Sequence, residues 1–470
     1  MKLIKQFLSS AVIICITFIF FHTAKAANLN INVSFNSASG IFTLTSSSNT
    51  SATVIPVLYK NGKITDISLS QVSVSVNGTK LNLSNLMPGD ADTLKLFVWN
   101  KSTDLKPNAK PYTLNLNKLN ILKVKNGHLK DINTNTVVLK GVNFGGWLIQ
   151  ETWMCPLYAL NSDVTVKNGT ENGWANLDTL TYMENNFGAT EAQKLFKAYQ
   201  DNYITEWDFQ NVKNLGFNCV RIPFWYRNFM SDENGTYYTD DDNKNPGFEK
   251  LDWAIETAGK YGLYVILDMH GCPGGQGGDH STGKVGRNYL YFEEKYQDIM
   301  ENLWSKIAGR YKFGNIIASY DIMNEPLNNA ATTHGVKSSY AVSPWVDTAN
   351  DPRIPLYDKM VKALRKSDPY HNITLEAIWR MYKLPNPSNY GWTNMMYQLH
   401  SYDSDYTTTN ELITSLVNAR NNYGVAAYMG EFNPAVYYND IGTMLKNNSI
   451  NYSIKLLKWK VKLVSTYFAY

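Results

Sequence analysis

The sequence predicts a (β/α)₈ barrel preceded by a small all-β sandwich, on three observations. From about residue 119, eight short apolar runs alternate with amphipathic helical stretches. Before residue 115 the pattern has period two and no helical period. Between them, Lys106 to Pro111 (KPNAKP) reads as a chain breaker. A doubly wound open sheet is the competing architecture for the second part.

The chain opens with a targeting pattern. Lys2 and Lys5 precede an apolar run from Phe7 to Phe21, and Ala24-Lys25-Ala26 supplies the small residues that signal peptidase cuts after. The run falls short of the roughly 20 apolar residues of a spanning helix, so a cleaved signal over residues 1–26 and a secreted or cell-surface protein are expected. Cleavage removes three lysines and no acid from a chain of 470 residues and net charge +4, leaving it near neutral. That balance offers no basic field for nucleic acid. No membrane association after cleavage is expected, and a monomer is.

Residues 27–115 form the sandwich. Val72 to Val76 alternates, Asn77-Gly78 turns, and Leu81 to Leu83 alternates again, which reads as a hairpin. Asn61-Gly62 marks a second turn, and Leu96 to Trp99 a further strand. The stretch from Leu94 to Pro107 resembles immunoglobulin-like modules of bacterial polysaccharide-degrading proteins, which implies a spacer or a glycan binder. Residues 119–470 form the barrel. Its strand runs are Val137–Val142, Asn218–Ile222, Leu263–Asp268, Ile316–Ile322, Ile373–Ala377, Met395–Leu399, Val425–Met429 and Ile450–Ile454. Phe248–Tyr261 and Phe292–Tyr311 are helices between them. Four cysteines are present. Cys15 leaves with the signal, and Cys155, Cys219 and Cys272 fit neither a disulfide framework nor a metal-ligand spacing.

Polar residues cluster where the strand runs end, which is where a barrel assembles its site. Arg221 ends the second run, Asp268-Met269-His270 the third and Asn324-Glu325-Pro326 the fourth. His400-Ser401-Tyr402 ends the sixth and Glu431 the seventh. Carboxylates from strands four and seven face each other across a barrel mouth. Glycoside hydrolysis needs such a pair, one to protonate the leaving oxygen and one to attack the anomeric carbon. In a retaining enzyme they lie about 5–5.5 Å apart. Arg221 is placed to keep the nucleophile charged, and Asn324 to bond a sugar hydroxyl. His270, His400 and Tyr402 are placed to orient sugar and carboxylates.

The second part resembles glycoside hydrolase family 5, the family of many cellulases. The stretches are Gly141 to Trp147 (GVNFGGW), Val220 to Pro223 (VRIP), Leu267 to Gly271 (LDMHG), Asp321 to Pro326 (DIMNEP), Leu399 to Tyr402 (LHSY) and Met429 to Phe432 (MGEF). Three more are similar to the exo-β-1,3-glucanase branch: Gly145 to Trp153 (GGWLIQETW), Ile204 to Phe209 (ITEWDF) and His270 to Gln276 (HGCPGGQ) followed by Asp279. The resemblance implies retaining hydrolysis of a β-glucan, β-1,3 or β-1,4 linked, without a cofactor. It implies Glu325 as acid/base and Glu431 as nucleophile. Arg221, His270, Asn324, His400, Tyr402, Trp147 and Glu151 become its substrate-contacting and orienting positions. Trp379 is a candidate sugar platform or wall.

One departure stands out. The family places a tryptophan just after strand eight and then a closing helix. Here Lys455 stands near that position, Trp459 is out of register, and residues 455–470 read as a truncated or frame-shifted tail. A defective barrel that binds glycan or cell wall without turnover is therefore the alternative function. Two further motifs fail on spacing. Gly278 to Lys284 (GDHSTGK) nearly spells a phosphate-binding loop, but Val285 replaces the hydroxyl that reaches magnesium. His270, Asp279 and His280 match no standard metal pattern, so no metal is expected.

Overall fold

The computed structural model describes residues 31–99, 110–151, 154, 175–278, 280–326, 350–377, 381–402, 406–432 and 438–455. The targeting segment, Cys155, Asp279, Trp379 and Trp459 lie outside them, as does the tail beyond Lys455. The chain divides into two compact units: Met1–Asn36 with Gly40–Leu119, and Ser37–Ser39 with Asn120–Tyr470.

The first unit holds two antiparallel sheets of the β-sandwich kind. Its strands are β1 (Ile31–Asn36), β2 (Ile41–Ser46), β3 (Thr50–Lys60), β4 (Lys63–Ile67), β5 (Ser70–Val74), β6 (Thr79–Lys80), β7 (Thr93–Trp99) and β8 (Tyr112–Asn115). One sheet runs β1-β2-β6; the other runs β4-β3-β7-β8, with β5 also paired to β3. Asn61 and Gly62 both take positive φ and close the β3–β4 hairpin. Asn77-Gly78 does turn the chain, but it does not make a hairpin. β5 pairs with β3 and β6 with β2, so the turn carries the chain from one sheet to the other. Leu81 to Leu83 is not a strand. Leu44, Leu94 and Leu96 are fully buried and alternate with more exposed neighbours along β2 and β7, whereas Val54 and Val57 lie in a continuous buried run of β3.

The second unit begins with a hairpin, β9 (Lys123–Lys125) and β10 (His128–Lys130). Then come the eight barrel strands: β11 (Lys140–Asn143), β12 (Cys219–Trp225), β13 (Tyr264–Gly271), β14 (Ile317–Asp321), β15 (Asn372–Glu376), β16 (Met395–Ser401), β17 (Ala426–Phe432) and β18 (Asn451–Lys455). All are parallel, and β18 pairs with β11 to close the sheet. The sequence runs matched them because parallel strands buried on both faces are nearly continuous apolar stretches. β12 continues through Pro223 to Trp225, so Arg221 lies inside its strand and not at its end.

Eight helices are described around the sheet, among them α4 (Pro246–Lys260) and α5 (Glu294–Tyr311); the first three are α1 (Asn176–Phe187), α2 (Ala189–Tyr203) and α3 (Glu206–Asn214). α4 shows why they start where they do. Asn245 accepts from the Gly247 amide at 3.1 Å, and Pro246 occupies the first turn, where no amide donor is needed. Phe248, Leu251, Ala254, Ile255 and Ala258 then form its buried stripe. At the opposite end of the barrel from the strand C-termini, Leu122, Leu129 and Leu139 pack against Cys219, Ile266, Ala318, Met396 and Ala426, the early residues of their strands. Each fully buried leucine there contributes about 1.5–3 kcal/mol. The barrel floor is thus apolar and sealed, and the polar residues are left to the other end.

Candidate active site

Arg221 organises the barrel mouth. Its side chain is wholly buried and every guanidinium nitrogen is engaged. Nε meets Asp321 Oδ2 at 2.9 Å. Nη1 reaches Asn143 Oδ1 at 3.1 Å and Glu431 Oε1 at 3.0 Å. Nη2 reaches Asn324 Oδ1 at 2.9 Å and Asp268 Oδ2 at 3.1 Å. Burial works against the charge, but the carboxylates of Asp268, Asp321 and Glu431 outweigh it and hold the guanidinium firmly charged. Burial also pushes the Asp321 pKa up to about 7, against the pull of Arg221.

Glu431 sits where β17 leaves the barrel. Besides Arg221, it accepts from the Tyr402 hydroxyl. The register shifts here: Leu399 faces Met429, but His400 faces Glu431, so Gly430 is skipped. Glycine is required at that point. A Cβ on residue 430 would lie 2.1 Å from Gln398 Oε1 and 2.9 Å from His400 Nε2. Gly430→Ala should therefore cost about 1–3 kcal/mol of overpacking. It should also lower kcat at least roughly tenfold, because the displaced groups line the site. Unchanged urea melts and rates would contradict this.

Glu325 follows β14 in a left-handed conformation, φ +41°, which is strained for a residue with a side chain. Its neighbourhood is pinned on both sides. Ile322 N–H donates to Thr374 O at 3.2 Å, and Asn324 N–H to Met269 O at 3.2 Å. The Glu325 N–H donates to Glu376 Oε2 at 2.8 Å. Its carboxyl Oε1 lies 2.8 Å from His400 Nδ1. The same nitrogen is 3.9 Å from Glu431 Oε2. One imidazole thus joins the two carboxyl groups and keeps those oxygens closer together than the sum of the two distances.

His270, next to last in β13, has Nδ1 2.7 Å from Asp268 Oδ2 and Nε2 3.5 Å from Glu151 Oε1. Glu151 is buried, and its other oxygen lies 3.8 Å from His280 Nε2. Burial opposes the imidazolium, yet Asp268 and Glu151 prevail and raise the His270 pKa to about 9. The free value is 6.5. His270 therefore stabilises the fold fully below about pH 6.5 and loses that contribution as pH climbs through about 9. His270→Asn should flatten the fall in Tm between about pH 7 and pH 9. A slope identical to that of the unaltered chain would contradict the assignment.

The structure brings together Glu325, Glu431, Arg221, His270, Asn324, His400, Tyr402 and Glu151. Trp147 is a correction. It is wholly buried, donates from Nε1 to Gln200 O at 2.7 Å, and packs edge-on against Phe144 and Trp253. No ring face is left for a sugar, so it serves the packing beneath the first loop. The Gly-rich loop does not open a helix either: His280–Thr282 is a single tight turn, and Lys284 pairs with Asp178.

Glu376 is the residue that the sequence reading missed. It is the last residue of β15 and fully buried beside Glu325. The strand-end rule that found the others applies to it equally, but no family stretch includes Glu376, and past strand five only Trp379 stood out. Gln398 was missed as well; it donates to Asp321 Oδ1 at 2.6 Å and reaches Glu376 Oε2 at 3.4 Å. Glu325, Glu376 and His400 each place one donor atom within 4.8 Å of the others, so they are the group among the described residues able to hold a cation. The His400–Glu325 hydrogen bond accounts for their closeness without one.

The comparisons agree with this geometry. A family model described as Cellulase (glycosyl hydrolase family 5) matches residues 175–468. A beta-xylosidase of Phanerodontia chrysosporium is 28% identical over 287 residues, 60% of this chain and 52% of that one. A glucan 1,3-beta-glucosidase of Pichia angusta is 33% identical over 195 residues, 40% of each chain. Glucan 1,3-beta-glucosidase 1 of Schizosaccharomyces pombe is 27% identical over 271 residues, 57% of this chain and 60% of that one. The chain spans about half the length of the curated relatives it matches. With a family model covering more than half of the sequence and a closed parallel barrel beneath it, the chain belongs to glycosyl hydrolase family 5, the cellulase family.

Proposed function

We propose that this chain is a secreted, retaining β-glycosidase that hydrolyses β-glucan. The observation that carries the reading is the pair Glu325 and Glu431, drawn from strands four and seven and joined through His400 Nδ1 at 2.8 and 3.9 Å. That closeness of one oxygen from each group is compatible with the roughly 5–5.5 Å spacing of retaining hydrolases and supports that reading.

The two environments differ in the way the chemistry needs. Glu431 receives a guanidinium and a phenol hydroxyl, both of which stabilise the negative charge of a nucleophile. Glu325 faces an imidazole and a second carboxyl group. In the first step a Glu431 oxygen attacks the anomeric carbon, and Glu325 gives its proton to the departing glycosidic oxygen. In the second, Glu325 takes a proton from water, whose oxygen attacks the anomeric carbon and frees Glu431. Asn324, with its Oδ1 held by Arg221, offers its amide hydrogens to a sugar hydroxyl. Glu151 and His270 wall the site on the strand-three side, which suits a terminal sugar.

The names of the relatives, beta-xylosidase and glucan 1,3-beta-glucosidase, support a β-linked pyranoside as substrate. No helix among the described residues is long and apolar enough to cross a membrane. The targeting pattern at the N-terminus supports secretion, and the N-terminal β-sandwich is read as a spacer. The test is reducing-sugar release from β-1,3-, β-1,4- and mixed-linkage glucans and from mannan. Release with retained anomeric configuration, followed by proton NMR of the fresh product, supports the reading. Silence on every substrate from folded protein sinks it in favour of glycan binding.

A further inference from the structure

Glu376 raises a physical question. Taking a carboxyl group into a barrel interior is costly unless it is paired, and an apolar side chain of the same volume would fill the space at less cost. Yet Glu376 is wholly buried, and its Oε1 makes no hydrogen bond. Its other oxygen has one short partner, the Glu325 backbone amide at 2.8 Å, with Gln398 Nε2 further off at 3.4 Å.

That amide belongs to a residue in an unfavourable conformation. Glu325 has φ +41° and carries a side chain. Such strain persists only where the surroundings over-determine it. The main-chain bonds of Ile322 and Asn324 hold the two flanks of the turn, and Glu376 holds its apex. Gln398 braces the clamp from below by bonding Asp321 at 2.6 Å. The steric demand of Gln398 for Gly430 ties this brace to the position of Glu431 as well.

We infer that Glu376 is a positioning residue for Glu325: it grips the Glu325 amide and so holds the left-handed turn that aims the acid/base at the glycosidic oxygen. The inference rests on the proposed role of Glu325. Burial, reinforced by the neighbouring Glu325 and Asp321, raises the Glu376 pKa well above the usual carboxylate range. The clamp therefore accepts through Oε2 without adding a further full charge beside Glu325. His400 Nδ1 lies 3.4 Å from Glu376 Oε1 and 2.8 Å from Glu325 Oε1, so loss of the clamp also loosens the imidazole contact.

A residue that acts through the acid/base is distinguished from a merely structural one by its dependence on the leaving group. Departure of a sugar alcohol needs protonation, whereas departure of 2,4-dinitrophenolate does not. Glu376→Met keeps the volume and removes the acceptor; Glu376→Ala is a second removal variant, in which water can enter. Glu376→Gln keeps an acceptor oxygen. Each is assayed on a β-gluco-oligosaccharide and on 2,4-dinitrophenyl β-glucoside. The removal variants should lose about 10²–10⁴-fold in kcat/KM on the oligosaccharide and less than about tenfold in kcat/KM on the aryl glycoside, because kcat/KM reports the first step, in which the leaving group departs. Glu376→Gln should stay within about tenfold of the unaltered chain on both.

An equal loss of kcat/KM on both substrates overturns the inference, as does no loss on either. Failure of both removal variants to fold overturns it too, because the residue is then a requirement of the fold. Failure of the parent reading looks different: the unaltered chain would turn over neither substrate, or Glu431→Ala would match it on the aryl glycoside.

Discussion

Glu431→Ala should abolish turnover and leave the barrel standing. The expected loss in kcat is on the order of 10⁴–10⁶-fold, since no other group near the anomeric carbon replaces a covalent nucleophile. Survival of the fold follows from charge counting at Arg221. Three carboxylates surround one guanidinium: Asp268, Asp321 and Glu431. Removing the last leaves Arg221 with two, so no buried cation is stranded. The Tyr402 hydroxyl loses its acceptor, but the residue is 39% exposed and water can take that place. Circular dichroism and urea melts should show a folded protein while product release falls to background. Turnover within tenfold of the unaltered chain would remove Glu431 from the role of nucleophile. Supplying azide should then produce the inverted glycosyl azide from the aryl glycoside, because the small anion enters the space vacated opposite Glu325.

How much of this was legible depended on which physical signal each element leaves. The eight barrel strands were visible because burial on both faces makes each an apolar run, and because a parallel strand is separated from the next by a helix. The site was visible for a related reason. Polar residues at the ends of such runs stand out, and Glu325, Glu431, His270 and His400 do so. Glu376 occupies the same kind of position, at the end of β15, but none of the family stretches includes it. Trp147 erred in the other direction. An aromatic within a glycan-family motif suggests stacking, but only three-dimensional packing reveals that Phe144 and Trp253 enclose it. The turn at Asn77-Gly78 was legible and its pairing was not. Local sequence specifies that the chain reverses, while the choice between a hairpin and a change of sheet is made by distant partners, β3 and β2. Arg221 was placed too shallow, since Pro223 looks like a strand end and β12 runs on past it.

Arg221→Met should do the reverse of Glu431→Ala: it should destroy the fold before the chemistry can be asked about. Methionine matches the aliphatic stem but brings no charge and no donors. Asp268, Asp321 and Glu431 would then share a buried space without their cation, and Asn143 and Asn324 would lose their common partner. Breaking a buried pair from one side costs about 3–5 kcal/mol, and here one side serves three partners. Urea melts should show at least that deficit, or no folded protein at neutral pH. Acid should shrink the deficit. Asp321 already titrates near 7 with Arg221 present, and without it the carboxylates protonate more readily still, so the repulsion fades as pH falls toward about 5. Arg221→Lys tests the geometry separately from the charge. An ammonium is a single point with three donors, whereas the five contacts of Arg221 are spread over a planar fork. The lysine chain should fold, melt lower, and lose at least about 10²-fold in kcat because Glu431 and Asn324 are no longer held by one rigid group. A methionine variant as stable as the parent at pH 7 would show that the three acids are neutralised by some other means, and Arg221 would cease to be the centre of the site.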